Sequence, residues 1–243
     1  MSPGRTTAIA NRIIQQMLRD RRSLALILVA PIVVMALVGF TFTDQREVLD
    51  RVAPALLAVF ALFFTFILTG VSFLRERAQG TLERLMTTPV GRWDILLGYL
   101  LGFLLFATIQ TVVVLMFTVI ALQINYQGDL WQIFVLLSML TVVSVSLGVF
   151  VSTFASNEFQ VVQFIPMVFV PQIFLSGIFL PIEDMPRYLE IIARLLPLTY
   201  AVEALQDIML RGQSLADVAT DLGVLAGFAA VLLTLAAVTV RRP

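Results

Sequence analysis

The chain has 243 residues, of which 59% are hydrophobic and 13% are charged, and its formal net charge is zero. Soluble domains usually contain roughly 45 to 50% apolar residues, so this composition indicates an integral membrane protein. The sequence has no Cys, His or Lys, which excludes disulfides, thiolate or imidazole metal sites, His-dependent nucleophiles and a phosphate-loop lysine. We therefore expect no catalytic residues, no metal site and no bound cofactor in this chain.

The first predicted element is an amphipathic helix over residues 3–22. Its apolar side chains fall on one helical stripe, formed by Ile9, Ala10, Ile13, Ile14, Met17 and Leu18. Arginine and glutamine cover the rest of the surface, a pattern typical of a helix that lies in the membrane interface. A cleaved signal peptide is the alternative, but the apolar run that follows is long and has no small-residue cleavage site.

Six apolar segments follow, and each is long enough to cross a hydrocarbon core of about 30 Å as a helix. They cover residues 24–42, 52–74, 95–124, 130–154, 159–182 and 222–240. Their interiors hold no Asp, Glu or Arg, which disfavours ion coupling because such transporters usually keep an ionisable relay near the midplane. Eleven of the 16 arginines lie on the side of both termini, which predicts cytoplasmic termini. Within the third segment, Gly98 and Gly102 predict close helix packing.

Residues 75–93 form a polar elbow between the second and third segments. Its centre, 81–88, predicts about two turns of helix that Thr81 caps and Pro89 ends. Leu82, Leu85 and Met86 share one face because they are spaced at i, i+3 and i+4. An apolar face flanked by charges is typical of a docking element, although solvated juxtamembrane charges would give the same pattern.

Residues 183–212 form a second unusual region, because it is moderately apolar yet interrupted by prolines. The region predicts two short helices, the first starting at Pro186 and ending before Pro197, the second over about 199–210. Pieces of this length cannot span a membrane. We expect them to enter the outer leaflet and return, buried against protein.

Together these features resemble the permease subunits of the type-2 ABC exporter family. The residues that carry the resemblance are Glu76, Gly80-Thr81-Leu82-Glu83, Thr88-Pro89, Phe174-Leu175-Ser176-Gly177, Pro181 and Leu196-Pro197-Leu198-Thr199-Tyr200. The resemblance implies an all-α membrane domain over residues 1–243, with six spans, an interfacial N-terminal helix, a coupling helix in the elbow and re-entrant outer helices. It also implies a homodimer of permeases on two cytoplasmic ATPase subunits, which carry the ATP and Mg, in a bacterial-type cytoplasmic membrane.

The resemblance also implies roles for individual residues. The ATPase-coupling residues would be Glu76, Gly80, Thr81, Leu82, Glu83, Arg84, Leu85, Met86 and Pro89, and the loop Ser156-Asn157-Glu158 is either a second contact or an ordinary tight turn. A substrate path between two permeases would include Phe63, Phe66, Gln163, Met167 and Gln172. An outer gate would include Pro181, Pro186, Pro197 and Tyr200.

The predicted function is ATP-driven export of an amphipathic drug-like, lipid-like or glycan substrate, with membrane lipids as further partners and no role for nucleic acid. One alternative is an intramembrane lipid-modifying transferase. It would have to use the outer acidic residues Glu183, Asp184, Glu190, Glu203 and Asp207. The other alternative is a non-transporting scaffold that recruits a cytoplasmic partner.

Overall fold

A computed structural model describes residues 3–87 and 90–239, and for residues 82, 83, 86 and 92 it describes the backbone alone. These described residues form ten α-helices and no strand. The helices are α1 Pro3–Arg19, α2 Arg21–Thr41, α3 Arg46–Ala78, α4 Thr81–Met86, α5 Arg92–Met116, α6 Leu130–Ser152, α7 Glu158–Leu175, α8 Arg187–Ala193, α9 Pro197–Arg211 and α10 Ala219–Thr239. A π-helix, Phe117–Ala121, continues α5, and a short 3-10 helix, Ile182–Asp184, precedes α8.

Six of the described helices are long and apolar enough to cross a membrane, namely α2, α3, α5 with its π-helical extension, α6, α7 and α10. The predicted all-α membrane class is therefore confirmed. The second segment is longer than predicted, because α3 runs for 33 residues. The fifth is shorter, since α7 ends at Leu175 and Gly177 then adopts a φ of +86°, which turns the chain out of the helix.

The centre of the bundle is the contact between α3 and α6. A Cβ added to Gly148 would lie 3.0 Å from the Cβ of Thr69 and 3.1 Å from the carbonyl oxygen of Phe66, so the two backbones touch through this glycine. The buried Ser144 hydroxyl donates a hydrogen bond to the carbonyl oxygen of Leu62. Small residues allow such approach between membrane helices, and dispersion contacts and interhelical hydrogen bonds then stabilise it.

The N-terminal helix packs on α5 through the predicted glycine pair. A Cβ on Gly98 would lie 2.6 Å from the Cβ of Ile9, and one on Gly102 would lie 2.8 Å from the Cβ of Ile13. The prediction of close packing is confirmed, and it identifies the surface that covers the apolar stripe of α1. Leu18 departs from that stripe, because its side chain is 56% exposed.

The proline-rich outer region forms two short helices that begin immediately after prolines or with them. Pro186 precedes α8, and Pro197 occupies the first turn of α9, where a missing N–H costs nothing. The second helix therefore starts two residues earlier than predicted. It buries one face against α3, α6 and α10, with Leu198, Val202, Leu205 and Ile208 fully enclosed.

Candidate functional site

The elbow turns at Gly80, which joins α3 to the short helix α4. Gly80 has a φ of +67°, and its carbonyl oxygen accepts the hydrogen bond from Arg84 N at 3.1 Å. The residue whose carbonyl accepts the first helical bond is the N-cap, so Gly80 caps α4 and the prediction that Thr81 does so is wrong. The helix is also shorter than predicted and ends at Met86, whereas the Thr88-Pro89 end of the motif lies outside the described residues.

Glu76, in the last turn of α3, is buried and charge-balanced inside the chain. Its side chain is 2% exposed, its carboxylate lies 2.6 Å from the Arg12 guanidinium, and the Tyr99 hydroxyl donates to the same oxygen at 2.9 Å. These three residues belong to α3, α1 and α5. The carboxylate therefore faces inward, which corrects the expectation that Glu76 offers its charge to a partner.

The inward position of Glu76 has a signal in the sequence. The buried side of α3 carries Phe66, Thr69 and Phe73, spaced three or four residues apart, and Glu76 continues the same spacing. If this buried stripe of α3 is continued beyond the apolar run, it reaches Glu76. The spacing alone would therefore have predicted a buried carboxylate, and a buried carboxylate needs partners. Arg12 and Tyr99 could not be found in this way, since their proximity depends on tertiary packing.

Two arginines of the elbow join it to other loops at the same end of the bundle. Arg75 lies 2.7 Å from Glu158 at the start of α7 and 3.3 Å from Asp20 between α1 and α2. Arg77 donates to the carbonyl oxygen of Ser152 at the end of α6, at 2.8 Å. The elbow is thus bonded to the ends of four other helices within a few residues.

Asp20 also caps α2, which fixes the turn between the first two helices. Its carboxylate accepts hydrogen bonds from the Ser23 hydroxyl at 2.6 Å and from Ser23 N at 3.1 Å. These bonds, aided by the nearby Arg75 guanidinium, lower the pKa of Asp20 below its ordinary value. The charged form of Asp20 is therefore the one that the fold stabilises.

The loop Ser156-Asn157-Glu158 is a capped turn. The Asn157 side chain accepts from Gln160 N at 3.0 Å, and the Gln160 side chain accepts from Ser156 N at 2.7 Å. Such reciprocal bonds satisfy donors at a helix start without any partner. The turn itself therefore explains Ser156 and Asn157, while Glu158 joins the loop to the elbow through Arg75.

The two described faces of α4 differ. Leu85 is half-buried and packs against the buried cluster that includes Ile95, Leu96 and Tyr99, whereas Arg84 and Thr87 are exposed. Leu85 thus packs α4 against the chain itself, and its role in ATPase coupling stays a prediction. The side chains of Leu82, Glu83 and Met86, also predicted to couple, lie outside the described residues.

The five predicted path residues do not share one surface. Phe66 and Gln172 are buried, Phe63 is half-buried against Phe169 with ring centroids 5.0 Å apart, and Gln163 and Met167 are exposed. The structure therefore brings Phe63 and Phe66 together at Phe169 of α7, whereas the buried Gln172 side chain donates to the carbonyl oxygen of Val168 in its own helix. The other two lie on the outward face of α7, whose apolar side chains are largely uncovered in the single chain.

The predicted outer-gate residues also separate. Pro181 and Pro186 are exposed, Pro197 is buried, and the Tyr200 hydroxyl donates to the carbonyl oxygen of Arg194 at 2.9 Å. Tyr200 therefore holds the turn between α8 and α9.

The outer acidic residues do not converge on one site. Glu203 lies 2.6 Å from Arg194, and Asp207 forms an ion pair with Arg211 one turn along α9. Glu183 and Asp184 are exposed in the short 3-10 helix, and Glu190 is half-buried in α8. The two carboxylates of α9 thus have arginine partners.

The sequence matches the family described as ABC-2 type transporter over residues 5–210, which is most of the chain. It is 30% identical over 164 residues to the probable multidrug ABC transporter permease YbhR of Escherichia coli K12, covering 68% of this chain and 45% of that protein. The linearmycin resistance permease protein LnrN of Bacillus subtilis is 27% identical over 203 residues, covering 82% of this chain and 52% of that protein. ABC transporter G family member 20 of Dictyostelium discoideum is 29% identical over 171 residues, covering 70% of this chain and 23% of that protein.

The chain spans about half the length, or less, of these curated relatives. The match nevertheless includes α1, the elbow, both outer helices and five of the six spans. It confirms the resemblance that the elbow and the outer region predict from sequence. This chain belongs to the ABC-2 type transporter family.

Proposed function

We propose that the chain is the membrane-spanning permease subunit of an ATP-driven exporter. Two cytoplasmic ATPase subunits would bind ATP and Mg and supply the energy, and a second copy of this chain would complete the membrane part. The observation that carries the proposal is the elbow, whose short helix exposes Arg84 while its flanks are bonded to α1, α5, α6 and α7. A contact on Arg84 would therefore act on several helices at once.

The bonds around Glu76 make the elbow a stiff link. A buried carboxylate that loses its cationic partner is strongly destabilised, so motion of the elbow that separated Arg12 from Glu76 would be costly. Moving α1, α3 and α5 together avoids that cost. We infer that closure of the ATPase subunits tilts these three helices as a unit, with Glu76 as a positioning residue.

The cargo we propose is amphipathic, and drug-like, lipid-like or glycan in class. The interiors of the predicted spans carry no Asp, Glu or Arg, which suits cargo with substantial apolar surface better than a small ion. Two relatives are named for multidrug transport and for linearmycin resistance. The orientation that fits the elbow and the arginine distribution has both termini in the cytoplasm of a bacterial-type cell.

The exposed face of α7 suits contact with a second permease copy. It carries Phe159, Met167 and Phe174, whose side chains are 60 to 74% exposed. Such a face in a membrane is covered by lipid or by protein. In the proposed homodimer it packs against the partner copy, beside Phe63 and Gln172.

The proposal is tested by reconstituting the chain with its ATP-binding subunit in liposomes. Export predicts ATPase activity that rises with an amphipathic substrate, together with ATP-dependent movement of that substrate across the bilayer. A scaffold would recruit the ATPase without either response. A transferase would modify lipid in liposomes that lack the ATPase subunit.

A further inference from the structure

A cavity of about 400 Å³ lies at the end of the bundle opposite to the elbow. It is open to the surroundings, and it is bordered by the first turns of α3, by the bend that follows α7 and by the last turns of α9. Its volume falls within the range of about 300 to 1,000 Å³ that is common for ligand sites. Among the coupling residues that the structure describes, none borders it.

Two arginines and no carboxylate are among the described residues that line the cavity. Arg211 lines it and forms an ion pair with Asp207 one helical turn earlier. Arg51 lines it as well, and none of the ion pairs among the described residues includes its guanidinium. The neighbouring Asp50 is engaged elsewhere, because its two oxygens accept hydrogen bonds from Asn125 at 2.9 and 2.8 Å.

The remaining walls are mostly apolar. Val52 and Leu210 line the sides, Gln206 adds one amide, and Phe179 lies at the bend, where its ring stacks on Phe174 at 5.3 Å. Phe179 is 67% exposed. An exposed aromatic side chain next to an unpaired guanidinium provides both an apolar contact and a planar donor for an anion.

We propose that this cavity binds an anionic amphiphile. Arg51 holds a phosphate or carboxylate head, and Val52, Phe179 and Leu210 contact the start of its alkyl chain. This proposal deepens the proposed function. It rests on that function in one respect only, namely that the bound amphiphile is the cargo of the transporter. Binding itself needs neither ATP nor the ATPase subunit, so the two claims can fail separately.

The test uses the full chain in nanodiscs of phosphatidylcholine and an octyl phosphate probe with a photoreactive group at the end of its chain. After illumination, mass spectrometry locates the crosslinks. We expect them on residues 177–181 and 206–211. Unlabelled octyl phosphate should compete, whereas octyl glucoside and inorganic phosphate should not, since one lacks the charge and the other lacks the chain.

The lipid composition of the nanodisc distinguishes the two possible sources of the ligand. If phosphatidylglycerol in the nanodisc suppresses labelling, the site takes lipid headgroups. If it does not, the site takes a free amphiphile from solution. Both outcomes support the anionic-amphiphile assignment and decide between its two sources.

Charge variants provide the controls. Arg51→Gln should lower labelling by about fivefold or more, because hydrogen bonds to charged groups are the strongest in the site. Gln206→Glu should have a similar effect without changing Arg51, since it adds a competing carboxylate to the cavity. Arg187→Gln, an exposed outer arginine on α8 that does not line the cavity, should leave labelling unchanged.

Three results would overturn the proposal. They are labelling that is indifferent to both cavity variants, competition by octyl glucoside equal to that by octyl phosphate, and competition by inorganic phosphate equal to that by octyl phosphate. The first two would show that the charge is not recognised. The third would show that the apolar walls contribute nothing.

Discussion

The Arg12 guanidinium donates to the Glu76 carboxylate at 2.6 Å across 64 residues of sequence and so joins α1 to the end of α3. The two side chains differ in burial, because Arg12 is 35% exposed and Glu76 only 2%. Loss of either partner therefore has different consequences. An arginine without its carboxylate can turn toward water, whereas a carboxylate without its arginine stays enclosed.

Arg12→Gln should therefore destabilise the protein more than Glu76→Gln. Arg12→Gln leaves the buried Glu76 charge uncompensated, and breaking a buried pair in this way costs about 3 to 5 kcal/mol of unfolding free energy. Glu76→Gln should cost only about 1 kcal/mol, because Arg12 is partly exposed and water can solvate its charge. The free energies of unfolding would be measured in mixed micelles with increasing SDS. Arg19→Gln, an exposed change of the same kind on α1, serves as the control. Equal losses for the two variants would contradict the burial argument.

The contact of α1 with α5 predicts a clear effect of glycine substitution. Gly98→Ala places a methyl group 2.6 Å from Ile9, so α1 must move outward at a cost of about 1 to 3 kcal/mol. Gly227→Ala in α10 is the matched control, because a Cβ there meets nothing within 4 Å. Its expected effect is neutral or slightly stabilising. A Gly98→Ala/Ile9→Gly double variant, which removes the Cβ that the new methyl group meets, should lose less stability in the same assay than the sum of its two single variants, and additive losses would count against direct contact.

Asp20 predicts a pH dependence at the junction of α1 and α2. Its pKa is lowered in the folded protein by Ser23 and Arg75, so its stabilising contribution is fully present above the unfolded pKa and is lost as the pH falls through the folded pKa. At neutral pH, Asp20→Ala should cost about 1 kcal/mol through loss of the cap. Asp20→Asn should cost less, because the amide oxygen still accepts from Ser23.

The comparison is made by thermal unfolding of the wild type and Asp20→Asn between pH 7 and pH 3. The stability gap between them should narrow as the pH falls below about 4, the ordinary range for an aspartate. Asp44→Asn, an exposed change between α2 and α3, is the control. A gap that widens toward acid pH would mean that the neutral form is the one the fold prefers.

The sequence predicted the elements of this fold well, because apolar length and proline position are local signals. The six spans, the short elbow helix and the two outer helices all follow from such signals. The predicted end of α7 lies several residues too late, because nothing in a uniformly apolar run indicates that Gly177 adopts a positive φ. The cap of α4 was misassigned for a related reason, as the turn at Gly80 decides which carbonyl starts the helix.

The inner side of the elbow could be predicted only in part. The i, i+3, i+4 pattern correctly placed Leu85 on an apolar face, but it could not tell whether that face meets a partner or the chain's own core. Burial of Glu76 likewise depends on Arg12 and Tyr99, which come from distant parts of the sequence. Pairings of this kind arise from tertiary packing, and a single sequence read alone carries no record of them.

The central claim is that energy enters through the exposed side of α4, and Arg84→Glu tests it most directly. The complex of this chain with its ATP-binding subunit would be reconstituted in liposomes, and substrate-stimulated ATPase activity would be measured beside Arg187→Glu, the same charge change on exposed outer helix α8. We expect Arg84→Glu to lower the stimulation at least about tenfold, with membrane insertion intact, and Arg187→Glu to leave it unchanged. Full assembly and full stimulation in Arg84→Glu would contradict it.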